Sequence, residues 1–427
     1  MDQLTLARRA FLGGAIASGA LAWGSSAAAL LKTADTYPAL KAFIEGFVAN
    51  RKLIGTMAVV GRNFDAPTVL TAGTIAADSG KRPDLDTIWR LYSMTKPVTG
   101  IAAMMLVEQG KLRLDQPIAE LIPAFANMNV LATPASALTD VRPAKTQITV
   151  RHLLTHTGGL GYNIVQKGPI AQAYTRNGIV PGQVSRLTMP GQAASVPAPS
   201  LKEFADRLAK LPLVYEPGTK WSYSVGLDLL GRVIEVASGQ AFDAFLASRI
   251  FKPLGMTSTW FRVPQSEVGR LATNYAPLGG VLIPIDVASN SIYLDKPAFP
   301  FGGAGLAGSA RDYDRFLMML LGEGAIGSTR IMKRETSRLA MSNLLPAGVS
   351  TAGTFAQGQG FGAGGRVSLA SAPQGAGVFG WGGAAGTIGL VDTRRKIRAG
   401  GYAQYMPAEA VPFQSGFPAA LFKDVGG

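Results

Sequence analysis

The sequence predicts a mixed α/β (α+β) fold, and three features of the chain carry that prediction. Two apolar β runs, residues 54–61 and 68–73, lie near the N-terminus and are joined by a polar turn. Residues 98–260 consist mostly of segments with helical spacing of apolar side chains. After residue 270 the chain changes to glycine-rich turns and short β runs. With 427 residues, 47% of them hydrophobic, the chain can bury a large core in one or two domains.

Composition excludes several classes of function. The net charge is +14, yet no run of Lys and Arg is interleaved with aromatic residues, so no nucleic acid partner is predicted. The chain has no cysteine, which excludes a disulfide framework, a thiolate nucleophile and a cysteine-based metal site.

The N-terminus has the pattern of an export signal. Arg8 and Arg9 form a twin-arginine pair, an apolar run of residues 11–22 follows, and residues 26–29 are small. The apolar run is short for a membrane span. We expect a twin-arginine signal peptide at residues 1–29, export to the periplasm or outside the cell, and no stable membrane span after cleavage. An uncleaved N-terminal anchor is the alternative.

Local patterns predict the regular elements in chain order. Apolar spacing favours helices, and short apolar or alternating runs bounded by glycine favour strands. Residues 124–147 are rich in Pro, Ala and Thr and predict a surface excursion. Residues 161–200 are too long for a simple connection and predict a lid or pocket-forming loop. The predicted helices are 37–51, 93–109, a short one ending near 123, 149–160, 200–211, 227–237, 242–250 and 311–321. The predicted strands are 54–61, 68–73, 87–91, 360–364, 377–383, 386–392 and 398–402.

Ser93 and Lys96 form a Ser-x-x-Lys pattern at the start of a predicted helix. Pro97 is tolerated only in the first helical turn, so the helix must begin near Ser93. Side chains three apart on a helix face each other, which places the Lys96 amine beside the Ser93 hydroxyl. A serine becomes a nucleophile when a neighbouring base takes its proton, and a lysine can be that base. Two fixed residues occur together by chance, so the pattern alone is weak.

The two histidines, His152 and His156, are four residues apart. Two zinc ligands can use that spacing, but Leu153 stands where a His-Glu-x-x-His site has its glutamate. No third ligand is evident, so hydrogen-bonded structural histidines are the better interpretation and no metal or other cofactor is predicted. A Gly-x-Ser-x-Gly turn is also missing from the sequence.

Six motifs in this order resemble the serine β-lactamase and penicillin-recognising superfamily, and more narrowly the family VIII carboxylesterases. The resemblance covers nearly all of the chain after the predicted signal peptide. The motifs are Ser93-Met94-Thr95-Lys96, Leu153-Leu154-Thr155-His156-Thr157-Gly158-Gly159-Leu160, Pro217-Gly218 leading to Tyr223-Ser224-Val225, Pro253-Leu254-Gly255-Met256, Gly302-Gly303-x-Gly305-Leu306-x-x-Ser309, and Trp381-Gly382-Gly383.

The resemblance implies an architecture. An antiparallel sheet forms from the N-terminal strands and the C-terminal third, with the first and last helices on one face and a mainly helical region inserted between. The hydrolase domain is then residues 30–427. Residues 30–97 and about 290–427 form its sheet part, and residues from about 98 to 289 its helical part.

The resemblance also implies a mechanism of acyl transfer in two steps. Ser93 attacks the ester carbonyl, and Lys96 and Tyr223 form the base system. The backbone N–H groups of Ser93 and Ala384 form the oxyanion hole. Core packing is the alternative role for Tyr223. The residues expected to line the substrate pocket are Trp381, Gly382, Gly383 and Val225.

Two departures from the superfamily pattern bear on the substrate. β-Lactamases and transpeptidases of this fold have Tyr-x-Asn and Lys-Thr-Gly, where this chain has Val225 and Trp381-Gly382-Gly383. The expected function is a serine carboxylesterase acting on a small-molecule, short-chain acyl ester. The alternatives are a β-lactamase or D-amino-acid peptidase of the same fold, and a non-catalytic binding protein.

Overall fold

Helices and short strands alternate along the chain in the computed structural model, which describes residues 36–187 and 195–426. The predicted signal peptide, residues 1–29, lies outside the described residues. The helices are α1 Pro38–Ala49, α2 Thr95–Glu108, α3 Val150–Leu154, α4 Gly168–Arg176, α5 Leu201–Leu208, α6 Gly226–Ser238, α7 Phe242–Leu246, α8 Lys252–Leu254, α9 Ala310–Leu321, α10 Arg334–Ala340 and α11 Phe413–Val425. The strands are β1 Gly55–Arg62, β2 Thr68–Gly73, β3 Ile88–Arg90, β4 Asn129–Leu131, β5 Val141–Pro143, β6 Thr259–Trp260, β7 Asn274–Leu278, β8 Val281–Asp286, β9 Ala307–Ser309, β10 Ala325–Ile326, β11 Thr329–Arg330, β12 Gln359–Phe361, β13 Arg366–Ser368, β14 Val378–Gly383, β15 Thr387–Asp392 and β16 Ile397–Tyr402.

The central sheet joins both ends of the described chain. It has seven strands in the order β12-β13-β14-β15-β16-β1-β2, and each neighbouring pair is antiparallel. Strand β1 lies between β2 and β16, with Val59 opposite both Val69 and Gly400. The expected fold class, a mixed fold with an antiparallel sheet, is confirmed.

The first and last helices cover one face of this sheet. Leu40 and Ile44 of α1 and Phe413 and Phe417 of α11 belong to one buried apolar cluster with sheet residues. The two helices are also joined at the start of α1, where Tyr37 supplies no side-chain cap. The Asp424 carboxylate accepts hydrogen bonds from the N–H groups of Ala39 at 3.0 Å and Leu40 at 2.8 Å. A carboxylate suits this position because the first N–H groups of a helix have no intrahelical acceptor.

The other face of the sheet packs on α2. Side chains alternate across a strand, and Met57, Val59, Phe379 and Trp381 point into the large core on this side. Every residue of α2 from Thr95 to Leu106 is buried. A helix that is apolar all round is expected inside a large core, and this burial fixes the position of Lys96 in its first turn.

Two local predictions need correction. The loop predicted at 161–200 contains α4, whose buried side chains Ile170, Ala173 and Tyr174 have helical spacing. The surface excursion predicted at 124–147 is mostly exposed, and β4 and β5 form a short hairpin within it. The strand predicted at 87–91 has only three residues, and it pairs with β9 in a small separate sheet instead of joining the central one. No helix among the residues described has the length and apolar character that a membrane span requires.

Candidate active site

Ser93 lies in a tight turn between β3 and α2. The residue before it, Tyr92, has a positive φ of 43°, and residues 92–94 form one 3₁₀ turn that leads into α2. A buried aromatic residue in the left-handed region is strained, and such strain persists only where the surrounding structure holds it. This turn leaves the Ser93 side chain only half-buried although its neighbours Tyr92 and Met94 are buried.

Lys96 reaches back to Ser93 from the first turn of α2. Its side-chain amine lies 3.2 Å from Ser93 Oγ and donates a hydrogen bond of 2.6 Å to the Gly303 carbonyl oxygen. The three-residue spacing predicts this meeting of side chains. Lys96 has no exposed surface, so its amine is held by protein groups in a defined position.

Tyr223 is brought to the same point from the segment that precedes α6. Its hydroxyl lies 2.7 Å from Ser93 Oγ, to which it donates a hydrogen bond. The Lys96 amine stands 4.7 Å from the centre of the Tyr223 ring, within the range of a cation–π contact. Ser93, Lys96 and Tyr223, which are up to 130 positions apart in the chain, therefore meet at one serine oxygen.

A buried carboxylate stands behind Lys96. Asp228 in the first turn of α6 accepts a hydrogen bond of 2.8 Å from the Gly303 N–H, and the carbonyl of the same Gly303 accepts from Lys96. Its second oxygen has no partner in the described part of the protein. Burial raises the pKa of Asp228 to about 6, although the charge of Lys96 opposes this shift. A side chain at Gly303 would come within 2.6 Å of the free Asp228 oxygen, so glycine permits this approach.

The two histidines occupy structural positions. His156 Nδ1 accepts a hydrogen bond from the Ser224 N–H at 3.2 Å, and its ring lies 4.8 Å from the Tyr223 ring. Burial and then the charge of Lys96 hold the pKa of His156 well below its usual range, so the ring is neutral. His152 closes a capping box with Thr149 at the start of α3. No group of three or more metal-ligating side chains occurs within residues 36–187 and 195–426.

Aromatic rings form one wall of the site. The Tyr223 ring lies 5.4 Å from Tyr162 and 5.7 Å from Trp381, and Phe361 packs on Trp381 at 5.2 Å. Phe355, 63% exposed, lies 5.5 Å from Tyr223 at the mouth. Packed aromatic rings have little freedom to move, so this wall gives Ser93 a rigid apolar environment.

The Trp381-Gly382-Gly383 motif ends strand β14 against the Ser93 turn. A Cβ at Gly383 would overlap the Leu91 carbonyl oxygen, so only glycine allows the strand to pass this close. Ala384 follows and is exposed. Within the described chain, the N–H groups of Ser93 and Ala384 donate to no other protein group, as an oxyanion hole requires.

The predicted pocket residues occupy different surroundings. Trp381 faces the site, while a side chain at Gly382 would meet Gln414 of α11 on the other side of the strand. Val225 is fully buried and its N–H donates to the Gly161 carbonyl. Contact of these residues with substrate stays a prediction.

A cleft of about 640 Å³ opens beside Tyr223. Its described lining includes the buried residues Trp221 and Ser222 and the exposed residues Phe355, Lys167 and Lys220. Sequence reasoning missed Asp228, Tyr162 and the role of Gly303. The available signal was an acidic residue on the buried side of α6, five positions after Tyr223.

Comparisons with known proteins agree with this geometry. A family model described as Beta-lactamase matches residues 40–413. The chain is 31% identical over 381 residues to esterase EstB of Burkholderia gladioli, covering 85% of this chain and 88% of EstB.

Solved structures give the same picture. EstCE1, described as a hydrolase with promiscuous acyltransferase activity, superposes with a TM-score of 0.74 and 27% identity over 93% of this chain and 100% of that one. Unliganded simvastatin synthase of Aspergillus terreus gives a TM-score of 0.72 over 92% of this chain and 100% of that one. Its 21% identity shows a shared fold only.

Proposed function

This chain belongs to the Beta-lactamase family and is a serine hydrolase of it, and we propose that it hydrolyses short-chain carboxylic esters through an acyl-enzyme on Ser93. The observation that carries the proposal is the meeting of the Lys96 amine at 3.2 Å and the Tyr223 hydroxyl at 2.7 Å on Ser93 Oγ. The esterase named among the relatives, EstB, supports the choice of ester substrates.

The acylation step uses Lys96 and Tyr223 as the base system. The Tyr223 hydroxyl, which donates to Ser93 Oγ in the resting site, first releases its proton to solvent in the adjoining cleft. As Ser93 Oγ then forms a bond to the acyl carbon, its proton passes along the 2.7 Å contact to the Tyr223 phenolate oxygen. The ester C–O bond then breaks, and the alcohol leaves with the proton that Tyr223 relays. Lys96, held by Gly303, supplies positive charge 4.7 Å from the Tyr223 ring centre. Water, deprotonated by the same system, releases the acid and restores Ser93.

The developing negative charge on the carbonyl oxygen needs hydrogen-bond donors. The N–H groups of Ser93 and Ala384 are our candidates because they are free of protein acceptors. Strand β14 passes so close to the Ser93 turn that any side chain at Gly383 would overlap the Leu91 carbonyl oxygen. This close approach supports the assignment, because Ala384 directly follows Gly383. Fixed donors aimed at this charge are worth about 3–4 kcal/mol each in acyl transfer.

Specificity for esters over β-lactams follows from missing polar groups. A β-lactam or a D-alanyl peptide carries an amide and a carboxylate. Val225 has no polar side-chain group where Tyr-x-Asn has an amide, and Trp381, whose one donor is its indole N–H, has no charged group of its own where Lys-Thr-Gly has an ammonium. Each lost hydrogen bond to a charged group costs about 1.5–3 kcal/mol, so two losses lower kcat/KM by on the order of 10² to 10⁴. The apolar wall around Tyr223 suits short acyl chains, and we expect chains beyond about C8 to be poor substrates because the cleft is partly closed.

Labelling by a phosphonate ester tests the nucleophile. The Ser93→Ala variant should lose both ester hydrolysis and covalent labelling, because a phosphonate traps only an activated hydroxyl. Ser222→Ala is the matched control, since Ser222 lines the cleft beside Tyr223 but does not contact the Lys96 amine. It should still be labelled, and mass spectrometry of the labelled peptide identifies the site. Labelling that persists in Ser93→Ala would refute the assignment.

A further inference from the structure

Arg366 is a part-buried cation that has no hydrogen-bond or ion-pair partner for its side chain among the described residues. It begins β13, and its guanidinium makes no hydrogen bond or ion pair with any residue in the described chain. The two fully buried arginines behave differently. Arg90 donates to Asp286 at 2.7 Å and Arg398 donates to Asp314 at 2.8 Å. Withdrawing a charge from water is costly unless a partner compensates, so an unpaired guanidinium at this depth is an exception within this protein.

The position of Arg366 connects it to the active site. Its guanidinium carbon stands 4.9 Å from the centre of the Trp381 ring. Trp381 lies 5.7 Å from Tyr223, whose hydroxyl contacts Ser93. Phe361, directly opposite Arg366 on β12, also packs on Trp381. Burial lowers the pKa of Arg366, and its interaction with Tyr223 opposes that shift.

The cleft beside this cluster carries positive charge. Its described lining contains Lys167 and Lys220 and no aspartate or glutamate. The acidic side chain near the serine, Asp228, is fully buried behind Lys96 and is not exposed to the cleft. A cleft lined by one sign of charge attracts ligands of the opposite sign.

We propose that Arg366 binds a carboxylate of the substrate, so that the preferred substrates are esters that carry a carboxylate group. This inference rests on the proposed esterase function. A guanidinium presents N–H groups in a fork that matches a carboxylate, and its partner here is missing among the described protein groups. The carboxylate belongs either to the acyl half or to the alcohol half of the ester, and the two sources are separated by experiment.

Three small esters with the same four-carbon acyl backbone form the test. Methyl butyrate is neutral, monomethyl succinate carries a carboxylate on the acyl half, and butyryloxyacetate carries one on the alcohol half. Wild-type kcat/KM should favour one charged ester over methyl butyrate. In Arg366→Gln the ratio of that ester to methyl butyrate should fall about tenfold to hundredfold. Arg366→Lys, which keeps the charge but loses the fork, should give an intermediate ratio.

Control variants separate recognition from other roles of the charge. Lys111→Gln removes an exposed charge beyond α2 and should change the ratio less than about threefold, as expected of a screened surface charge. Replacing Lys220 at the mouth should lower the ratio of charged to neutral ester only at low salt. Replacing Arg366 should still lower this ratio at about 0.5 M salt, because Arg366 is part-buried and its charge is screened less. A purely structural Arg366 that only supports Trp381 would lower kcat/KM for all three esters equally, and that result would overturn the proposal.

A binding measurement is independent of turnover. Calorimetric titration of the wild-type protein with succinate should show binding that weakens at least about tenfold in Arg366→Gln. If the protein hydrolyses none of the three esters but binds succinate through Arg366, the esterase function is contradicted and the anion site is supported. Absence of succinate binding to the wild type, or equal binding to both proteins, would overturn the anion site.

Discussion

The carboxylate of Asp228 couples the active site to folding stability. Burial raises its pKa from 3.8 to about 6. An acid with a raised folded-state pKa holds its proton more tightly when folded than when unfolded. The free energy of unfolding therefore falls as pH rises from about 4 to about 6, and the penalty is complete above that range. This lower free energy of unfolding is the consequence of burying a negative charge near Lys96.

Replacing Asp228 by asparagine should remove this pH dependence. Relative to the wild type, Asp228→Asn should gain about 1–2 kcal/mol in free energy of unfolding between pH 5 and pH 8, because the shift is about two units and part of it is complete by pH 5. Urea titrations at the two pH values measure the change. Asp78→Asn, an exposed site, is the control and should follow the wild type. Parallel curves for Asp228→Asn and the wild type would contradict the account.

Single residues could be predicted from the sequence where their partners are close in the chain. Ser93 and Lys96 are three apart, so helical geometry alone places them together. Asp228 is linked to Lys96 by Gly303, which is 75 positions away, and Arg366 comes near the site because β13 pairs with β14, the strand that carries Trp381. Such meetings depend on the tertiary fold, and no local spacing in the sequence indicates them.

The end of β14 packs against the turn that carries Ser93. It runs antiparallel to β15, with Gly383 opposite Thr387, and it passes the Leu91 carbonyl just before the strained Tyr92. Close packing of backbone on backbone holds a turn that would otherwise relax. The same approach brings Ala384 towards the position in which an oxyanion hole is expected.

Gly383→Ala tests this packing. A Cβ there would overlap Leu91 O and Thr387 Oγ1, so the strand must move away from the serine turn. We expect a loss of about 1–3 kcal/mol in free energy of unfolding from overpacking and about a hundredfold loss of kcat/KM from misplacement. Gly80→Ala has no neighbour within 4 Å and is the control. A Gly383→Ala enzyme with wild-type kcat/KM would show that close packing at this position is not needed.

Helices could be predicted from the sequence where the spacing of apolar residues continued over several turns. Helices α1, α2, α5, α6 and α9 fall within or close to their predicted bounds, because several turns of apolar spacing define each one. Strand β13 was missed since three residues carry too little alternation. Helix α4 was missed because the glycine- and proline-rich sequence around it, including Pro169 in its first turn, outweighed its apolar spacing.

At the scale of the whole molecule, the central sheet pairs strands from the two ends of the described chain. Strands β1 and β2 come from the first 73 residues and the other five strands from residues 359–402. Long-range pairing of this kind was expected from the family resemblance and not from local patterns. The division into a sheet part and a helical part at residues 97 and 290 stays a prediction.

Export is a second proposal for the whole molecule. Arg8 and Arg9 precede a short apolar run, and we propose that they direct the folded protein through the twin-arginine route. Changing both to lysine should leave the precursor in the cytoplasm, as measured by fractionation and immunoblotting. Changing Lys32 and Lys41, which lie after the predicted signal, to arginine is the matched control. Unchanged delivery of the Arg8→Lys/Arg9→Lys protein would count against this route.

The central claim is that an activated Ser93 acts on esters and discriminates against β-lactams, and one ratio tests it most directly. The measurement is kcat/KM for a butyrate ester against kcat/KM for a cephalosporin on the same purified enzyme. Both substrates react at the same serine and oxyanion donors, but the cephalosporin also needs the contacts of the Tyr-x-Asn amide and the Lys-Thr-Gly ammonium, which Val225 and Trp381 do not replace. The account predicts a ratio on the order of 10² or more. A ratio at or below one would contradict it and identify the enzyme as a β-lactamase.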